Sequence, residues 1–347
     1  MDFTTTEAQA ALGGLTREIL AGRKPSDSFD RPLWTDLATA GVLAAALPTA
    51  VGGDGYGLLE QCTILAELGA AVAPLPYLDS IVGAASTVAR FGSAAQADRF
   101  ARPAGSGELI LTAAIGTVHT RQSGTDWLLD GECGAVPAAP YADLVLVATP
   151  DGAFLVAPTD DGVVIEPQRI AGGPGAGHVR LASVAVPADR AIADPAATAW
   201  LRDRLIIGHC ASQLGVLERA LELTAEYART RVQFGRPIGT FQAVAQRLAD
   251  AYIDVQGVRL TLWQAAWRLA NDLPCPTEVA TAKFWTADAG HRVAHSAVHL
   301  HGGVGIDLDG NLQRYFLAAK YHEFTLGGAT EQLLHIGESL TTADLDA

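Results

Sequence analysis

The sequence predicts a three-part chain: an all-α domain over residues 1–105, a β-domain over 106–193 and a helical bundle over 194–347. Three observations lead there. Helical stretches alternate with Gly/Pro turns in the first part. Short β-prone runs between Gly, Pro and Asp turns fill the middle. Apolar residues stepping by three or four fill the last.

In the first part, Leu58, Leu59, Cys62, Leu65, Ala66 and Leu68 recur at helical spacing. The glycines of PTAVGGDGYG stop the helix before them. APLPY (Ala73 to Tyr77) interrupts the pattern, since proline breaks helices. Both loops read as punctuation. In the middle part, LILTAAI, DWLLDGE, ADLVLVATP, GAFLVAP, GVVIEPQ and HVRLASVAVP are the strand-forming runs. Their spacing suits an antiparallel barrel or sandwich. AGGPGAG (Ala171 to Gly177) opens no helix, so it is a loop without the setting of a phosphate-binding loop.

In the last part, Ile207, Cys210, Leu214, Leu217, Leu221 and Ala225 define one helix. Val244, Leu248, Ala251, Val255, Val258, Leu262, Ala265 and Leu269 define a second. A third runs from about Thr277 to Leu300, a fourth from about Leu312 to Phe324, and a last starts near Thr330. Long amphipathic helices with short connections make a bundle.

Composition excludes several classes. Lys plus Arg is 24 and Asp plus Glu is 38, a net charge of −14, which argues against nucleic-acid or anionic-membrane binding. Hydrophobic residues make up 49%, enough for a sizeable core. No apolar run reaches bilayer length, and MDFTTTEAQAAL lacks the pattern of a secretory signal. Cys62, Cys133, Cys210 and Cys275 lie far apart and read as reduced core thiols, so the expected location is cytoplasmic.

Three segments can carry chemistry. Arg229–Gln242 joins the first two bundle helices and places Arg231, Gln233 and Phe234 at a helix terminus. A guanidinium can grip a pyrophosphate there and an aromatic can pack on a flat ring; a helical hairpin with solvated charges is the other reading. In His299–Ile306, Gly302 and Gly303 either stop a helix or let a phosphate approach. Leu326–Gln332 is either an anion site at a helix start or a loop with a threonine cap. His291, His295 and His299 lie four apart, a spacing that can bind zinc, but no fourth ligand is evident and no metal is expected.

Together, RTRVQFGRPIGTFQAVAQRLAD, HLHGGVGIDLDGNLQRYFLAAK and LGGATEQ resemble the acyl-CoA dehydrogenase family, over nearly the whole chain. GGDGYG and APLPY resemble its N-terminal turns. The resemblance implies the acyl-CoA dehydrogenase fold: an N-terminal all-α domain, a middle β-barrel domain and a C-terminal four-helix bundle. It implies FAD as cofactor, an acyl-CoA substrate dehydrogenated across Cα–Cβ, and an electron-transfer flavoprotein as acceptor. It further implies that Arg231, Gln233 and Phe234 contact the ADP part of FAD, with Ile238 and Phe241 flanking the adenine. His299, Gly302 and Gly303 match the other ADP-contacting segment, which serves a neighbouring subunit's FAD. Thr330 and Gln332 match positions that touch a subunit's own FAD.

The departures are as informative. The family's usual base is the glutamate of a Tyr-Glu-Gly-Thr stretch, and here that position is Gly328. The alternative base position, on the first bundle helix, falls at about Leu205, with Asp203 as the nearest carboxylate. LTAAIGTVHTRQSGTD replaces the Thr-Glu-Pro-x-x-Gly-Ser-Asp-like stretch that meets flavin and substrate. MDFTTTEA, QLGVLERALELTAEYARTR, RYFLAAK and LGGATEQ resemble the base-lacking subunit of α2β2 bacterial steroid side-chain acyl-CoA dehydrogenases. The expectation is therefore a subunit that completes the FAD site of a glutamate-bearing partner. The alternatives are a self-sufficient homotetramer using Asp203, and a non-enzymatic scaffold.

Overall fold

A computed structural model describes residues 4–23, 26 and 28–345. The chain divides into two compact units. One is built from Ala10–Gln61 and Pro74–Leu205; the other takes Cys62–Ala73 and the chain from Ile206, with the described residues before Ala10.

Helix α1 (Glu7–Leu20) is followed by α2 (Arg31–Thr39) and α3 (Leu58–Ala70). Asp30 caps α2 by accepting the Leu33 N–H at 2.9 Å. After APLPY the chain forms a π-helix, Tyr77–Ala85, buried along its whole length. Short helices close this part: α4 (Ser86–Phe91), α5 (Ala94–Gln96), a second π-helix (Ala97–Ala101) and α6 (Arg102–Gly105).

The strands are β1 (Leu111–Ile115), β2 (Thr117–Ser123), β3 (Asp126–Pro137), β4 (Leu144–Thr149), β5 (Gly152–Val156), β6 (Val163–Gln168), β7 (Ala176–Val186) and β8 (Ala191–Ile192). They make two four-stranded sheets, β1-β4-β5-β8 and β2-β3-β7-β6. Alternate residues of both sheets enter one core, including Val145, Val147 and Phe154 from the first and Leu129, Cys133 and Val179 from the second. Two features differ from the sequence reading. The polar run Thr117–Ser123 is a strand, and β1 pairs with β4 in parallel, Leu111 opposite Leu144. The chain leaves the first sheet at Gly116, where a Cβ would lie 2.4 Å from the Glu132 carbonyl oxygen. The β2–β3 hairpin then provides the crossover that a parallel pair requires.

The second unit holds the long helices α7 (Pro195–Thr230, from Ile206 onward), α8 (Gln242–Ala270), α9 (Pro276–His301), α10 (Leu312–Phe324) and α11 (Ala329–Leu345). Val255, Val258, Leu262 and Ala265 form the buried stripe of α8. Small residues let α3 and α7 touch backbone to backbone. A Cβ on Gly215 would lie 1.8 Å from Ala66 O, and one on Gly69 would lie 2.1 Å from Ser212 O. Arg292 on α9 grips Asp254 on α8 with two hydrogen bonds of 2.9 and 2.7 Å. The four cysteines are buried thiols, none of them in a disulfide. Among the described residues, no helix is long and apolar enough to cross a membrane.

Candidate cofactor-binding site

Helix α7 ends at Thr230 and a two-strand hairpin follows, β9 (Val232–Gln233) and β10 (Arg236–Pro237). Its central residues, Phe234 and Gly235, have φ of +53° and +79°. Positive φ at both central positions suits the twist of a tight hairpin. This turn drives the Phe234 ring outward, leaving it 92% exposed. Phe234 stands edge-on to Phe241 with centroids 6.1 Å apart, and the Arg236 guanidinium lies 4.2 Å over the Phe241 ring. Arg231 and Gln233 are exposed, while Ile238 and Phe241 are half-buried.

The end of α9 lies beside this hairpin. Tyr227 of α7 stacks on His301 with centroids 4.3 Å apart, and its hydroxyl donates to His301 O at 3.4 Å. Gly302 has φ +65° and ψ −143°, a conformation essentially reserved for glycine. A Cβ on Gly302 or Gly303 would meet nothing within 4 Å. His299 is exposed one turn earlier. One end of the bundle thus presents an aromatic edge, a guanidinium and uncovered backbone. An arginine, exposed aromatic edges and glycine backbone without Cβ atoms are groups that suit a diphosphate and a flat base.

Thr330 and Gln332 are elsewhere. They open α11, which packs on α9 where Thr277 meets Ser339 at 3.5 Å. The electrostatic reach of Glu331 to Lys283 also places this turn near residue 283 of α9. From Lys283 to His299 the helix rises about 24 Å. The structure brings together two of the three segments and keeps the third apart. Thr330 is exposed; Gln332 is buried, and its amide donates to Leu326 O at 3.3 Å.

Neither base position carries a carboxylate. A Cβ at Gly328 would meet nothing within 4 Å. Leu205 is buried and packs so that a Cβ on Gly83 would lie 2.9 Å from its Cδ2. Asp203 is half-buried; burial raises its carboxyl above the usual range while Arg202 and Arg204 oppose the shift. The His291 and His295 rings lie tilted against each other with centroids 4.4 Å apart, and Lys320 donates to His291 Nδ1 at 2.8 Å. No group of three or more metal-ligating side chains converges among the described residues.

The sequence reading missed a buried polar cluster in the bundle. Lys283 is fully buried, and desolvation lowers its ammonium to about 8. His209 and His322 face each other with Nδ1 atoms 3.0 Å apart; burial, then the nearby Lys283 charge, push His322 down to about 3. A signal existed: Lys283 interrupts the small-residue stripe Val279, Ala287, Gly290 and Ala294. In the other unit Asp79, on the π-helix, is buried, and burial raises its carboxyl to about 7 against the pull of a backbone hydrogen bond.

Comparison with known proteins accords with this arrangement. The model for the acyl-CoA dehydrogenase N-terminal domain matches residues 15–108, and that for the C-terminal domain matches 203–341. Acyl-CoA dehydrogenase FadE27 of Mycobacterium tuberculosis (strain ATCC 25618 / H37Rv) is 48% identical, over 98% of this chain and 99% of that protein. In the ChsE4-ChsE5 complex from Mycobacterium tuberculosis, a chain 48% identical superposes with a TM-score of 0.94, covering 98% of this chain and 99% of its own length. A variant of the Tcur3481-Tcur3483 steroid ACAD has a chain 36% identical with a TM-score of 0.92, covering 99% of this chain and 100% of that one. The chain belongs to the acyl-CoA dehydrogenase family of oxidoreductases.

Proposed function

We propose that this chain is the base-lacking subunit of a heteromeric, FAD-dependent acyl-CoA dehydrogenase acting on a steroid side-chain CoA thioester. Its domains are 1–105, 106–193 and 194–347, and its partner is a second acyl-CoA dehydrogenase-like subunit that supplies the glutamate. An electron-transfer flavoprotein takes the electrons onward. One observation carries the reading: the ADP-fitting end of the bundle is open, while both base positions, Gly328 and Leu205, hold no acid. The similarity to chains of two-component complexes supports the partner, and the steroid ACAD among them supports the substrate class.

In this mechanism Arg231 binds and orients the diphosphate. Ile238 and Phe241 flank the adenine and shield it from water, Phe234 packs on the ADP part, and Gly302–Gly303 let the backbone approach the cofactor. When bound, FAD supplies the acceptor for the hydride leaving the β-carbon. The α-proton of a thioester is too weakly acidic to leave without a base within about 3 Å or one water away. This chain offers none at the usual places, so the proton goes to the partner's carboxylate.

A second reading keeps Asp203 as a relocated base, favoured by the burial that raises its carboxyl. The test is FAD stoichiometry and turnover of the assembled complex, wild type and Asp203→Asn. One FAD per unlike pair, with activity retained in the variant and lost when the partner's glutamate is removed, supports the base-lacking reading. An FAD on every chain, with activity abolished by Asp203→Asn, overturns it. A protein colourless in all company supports the scaffold.

A further inference from the structure

The carbonyls of a helix's last turn lack intrahelical partners. At the end of α10 all four are satisfied. Thr325 donates to Tyr321 O from its N–H at 3.1 Å and its hydroxyl at 2.7 Å, and the Gly327 N–H donates to Phe324 O at 3.3 Å. His322 O and Glu323 O accept from a single donor, the Lys283 ammonium, at 2.7 and 3.1 Å. A buried cation on the negative end of a helix is a strong rivet, since both charge and donors are used. Lys283 therefore fastens the start of the loop 325–328 to α9.

The far side of the loop is closed by α11. Leu326 and Gly327 turn the chain with φ of +59° and +100°. Two side chains fold over that turn. A Cβ on Gly327 would lie 2.6 Å from Gln332 Nε2 and 3.0 Å from Glu331 Oε2. Gln332 is 3% exposed and holds Leu326 O. Glu331 sets a carboxylate in the first turn of α11, where free N–H groups and the helix dipole otherwise favour an anion. The tyrosine that the family's Tyr-Glu-Gly-Thr stretch puts at position 327 would have to displace both of these side-chain ends.

We propose that Lys283, Gln332 and Glu331 form a latch that shuts this chain's own flavin-phosphate position. It presents a carboxylate and an inward-turned amide where a cofactor phosphate needs free donors. FAD is then held only at the Arg231/Gly302 end, facing the partner. The inference rests on the base-lacking reading and supplies the physical reason for half occupancy.

The test counts FAD per unlike pair in the assembled complex, from flavin absorbance after release by denaturation. Glu331→Lys reverses the charge at an exposed side chain. Gly327→Ala drives a methyl into both latch side chains. Thermal melts and size-exclusion chromatography select correctly folded complexes, and Glu331→Lys carries the test where Gly327→Ala fails to fold. The expected result is one FAD per unlike pair in wild type, rising towards two in the variants. A wild-type complex with FAD on every chain overturns the base-lacking reading itself. One FAD per pair in wild type, unchanged in a folded Glu331→Lys complex, overturns the latch alone.

Discussion

Gly302 and Gly303 are neighbours in sequence, yet alanine should have opposite effects at the two. Gly302 sits at φ +65°, ψ −143°. A side chain held in such a region costs about 1–3 kcal/mol, whatever the space around it. Gly303 has no positive φ, and its Cβ would meet nothing within 4 Å. Gly303→Ala should therefore leave folding unharmed, or stabilise it by about 0.4–1 kcal/mol through the stiffer unfolded chain. On the proposed function the cofactor fills that space in the complex. A methyl forced into a filled contact costs about 1–3 kcal/mol, so FAD affinity should fall by roughly 5- to 150-fold. The assay pairs urea denaturation of the chain with FAD titration of the apo complex, each for Gly302→Ala and Gly303→Ala. Normal FAD affinity in Gly303→Ala would show that this end of the bundle does not meet the cofactor. A Gly302→Ala chain as stable as wild type would refute the backbone argument.

Three further outcomes follow from the same geometry. Arg231→Ala should weaken FAD retention by one to two factors of ten, since a charge-assisted bidentate contact contributes roughly 1.5–3 kcal/mol; equal affinity in an assembled complex removes the assignment. Gly328→Glu places its Cβ where nothing lies within 4 Å and adds an acid at the start of α11, so stability should hold or rise by about 0.3–1 kcal/mol; a clear drop in the urea midpoint marks that glycine as structural. Asp79 holds its proton up to about 7 in the fold against 3.8 for the free side chain. The folded state thus binds the extra proton, and this group's contribution to stability falls as pH rises from about 4 to about 7. Buried His322 works the other way, losing stability as pH falls from 6.5 towards about 3, so wild type alone mixes the two. The difference between Asp79→Asn and wild type isolates the first: the variant's relative stability should grow from about pH 4 to about pH 7, and a constant difference contradicts the assignment.

The bundle was legible because its apolar residues repeat every three or four positions over long stretches, and α8, α9 and α10 fall where those repeats place them. Strand β2 was not, since Thr117–Ser123 buries little beyond Val118 and reads as a polar loop. The π-helix at Tyr77–Ala85 was hidden for the opposite reason: it is buried on all sides and shows no amphipathic period. Parallel pairing of β1 with β4 is a long-range choice that no local window contains. At the site, residue types and order pointed to Arg231 and the glycine pair. Their meeting depends on Tyr227 stacking on His301, across 74 residues of chain, and the separation of Thr330 and Gln332 from them depends on helix length. The inward turn of Gln332 is a rotamer, a property without a sequence signal.

The two glycines 327 and 328 also differ in how freely mutation can visit them. Position 327 is costly to change, since φ +100° strains any side chain and a Cβ there must displace the ends of Gln332 and Glu331. Position 328 is structurally open: its backbone has no positive φ and its Cβ direction is vacant. A glycine codon ending in A or G becomes a glutamate codon by a single base change. Drift can therefore restore a carboxylate at 328 at almost no cost in folding. Lineages that keep glycine at 328 would do so under selection on the assembled enzyme, whereas lineages that keep it at 327 need no selection beyond the requirement to fold.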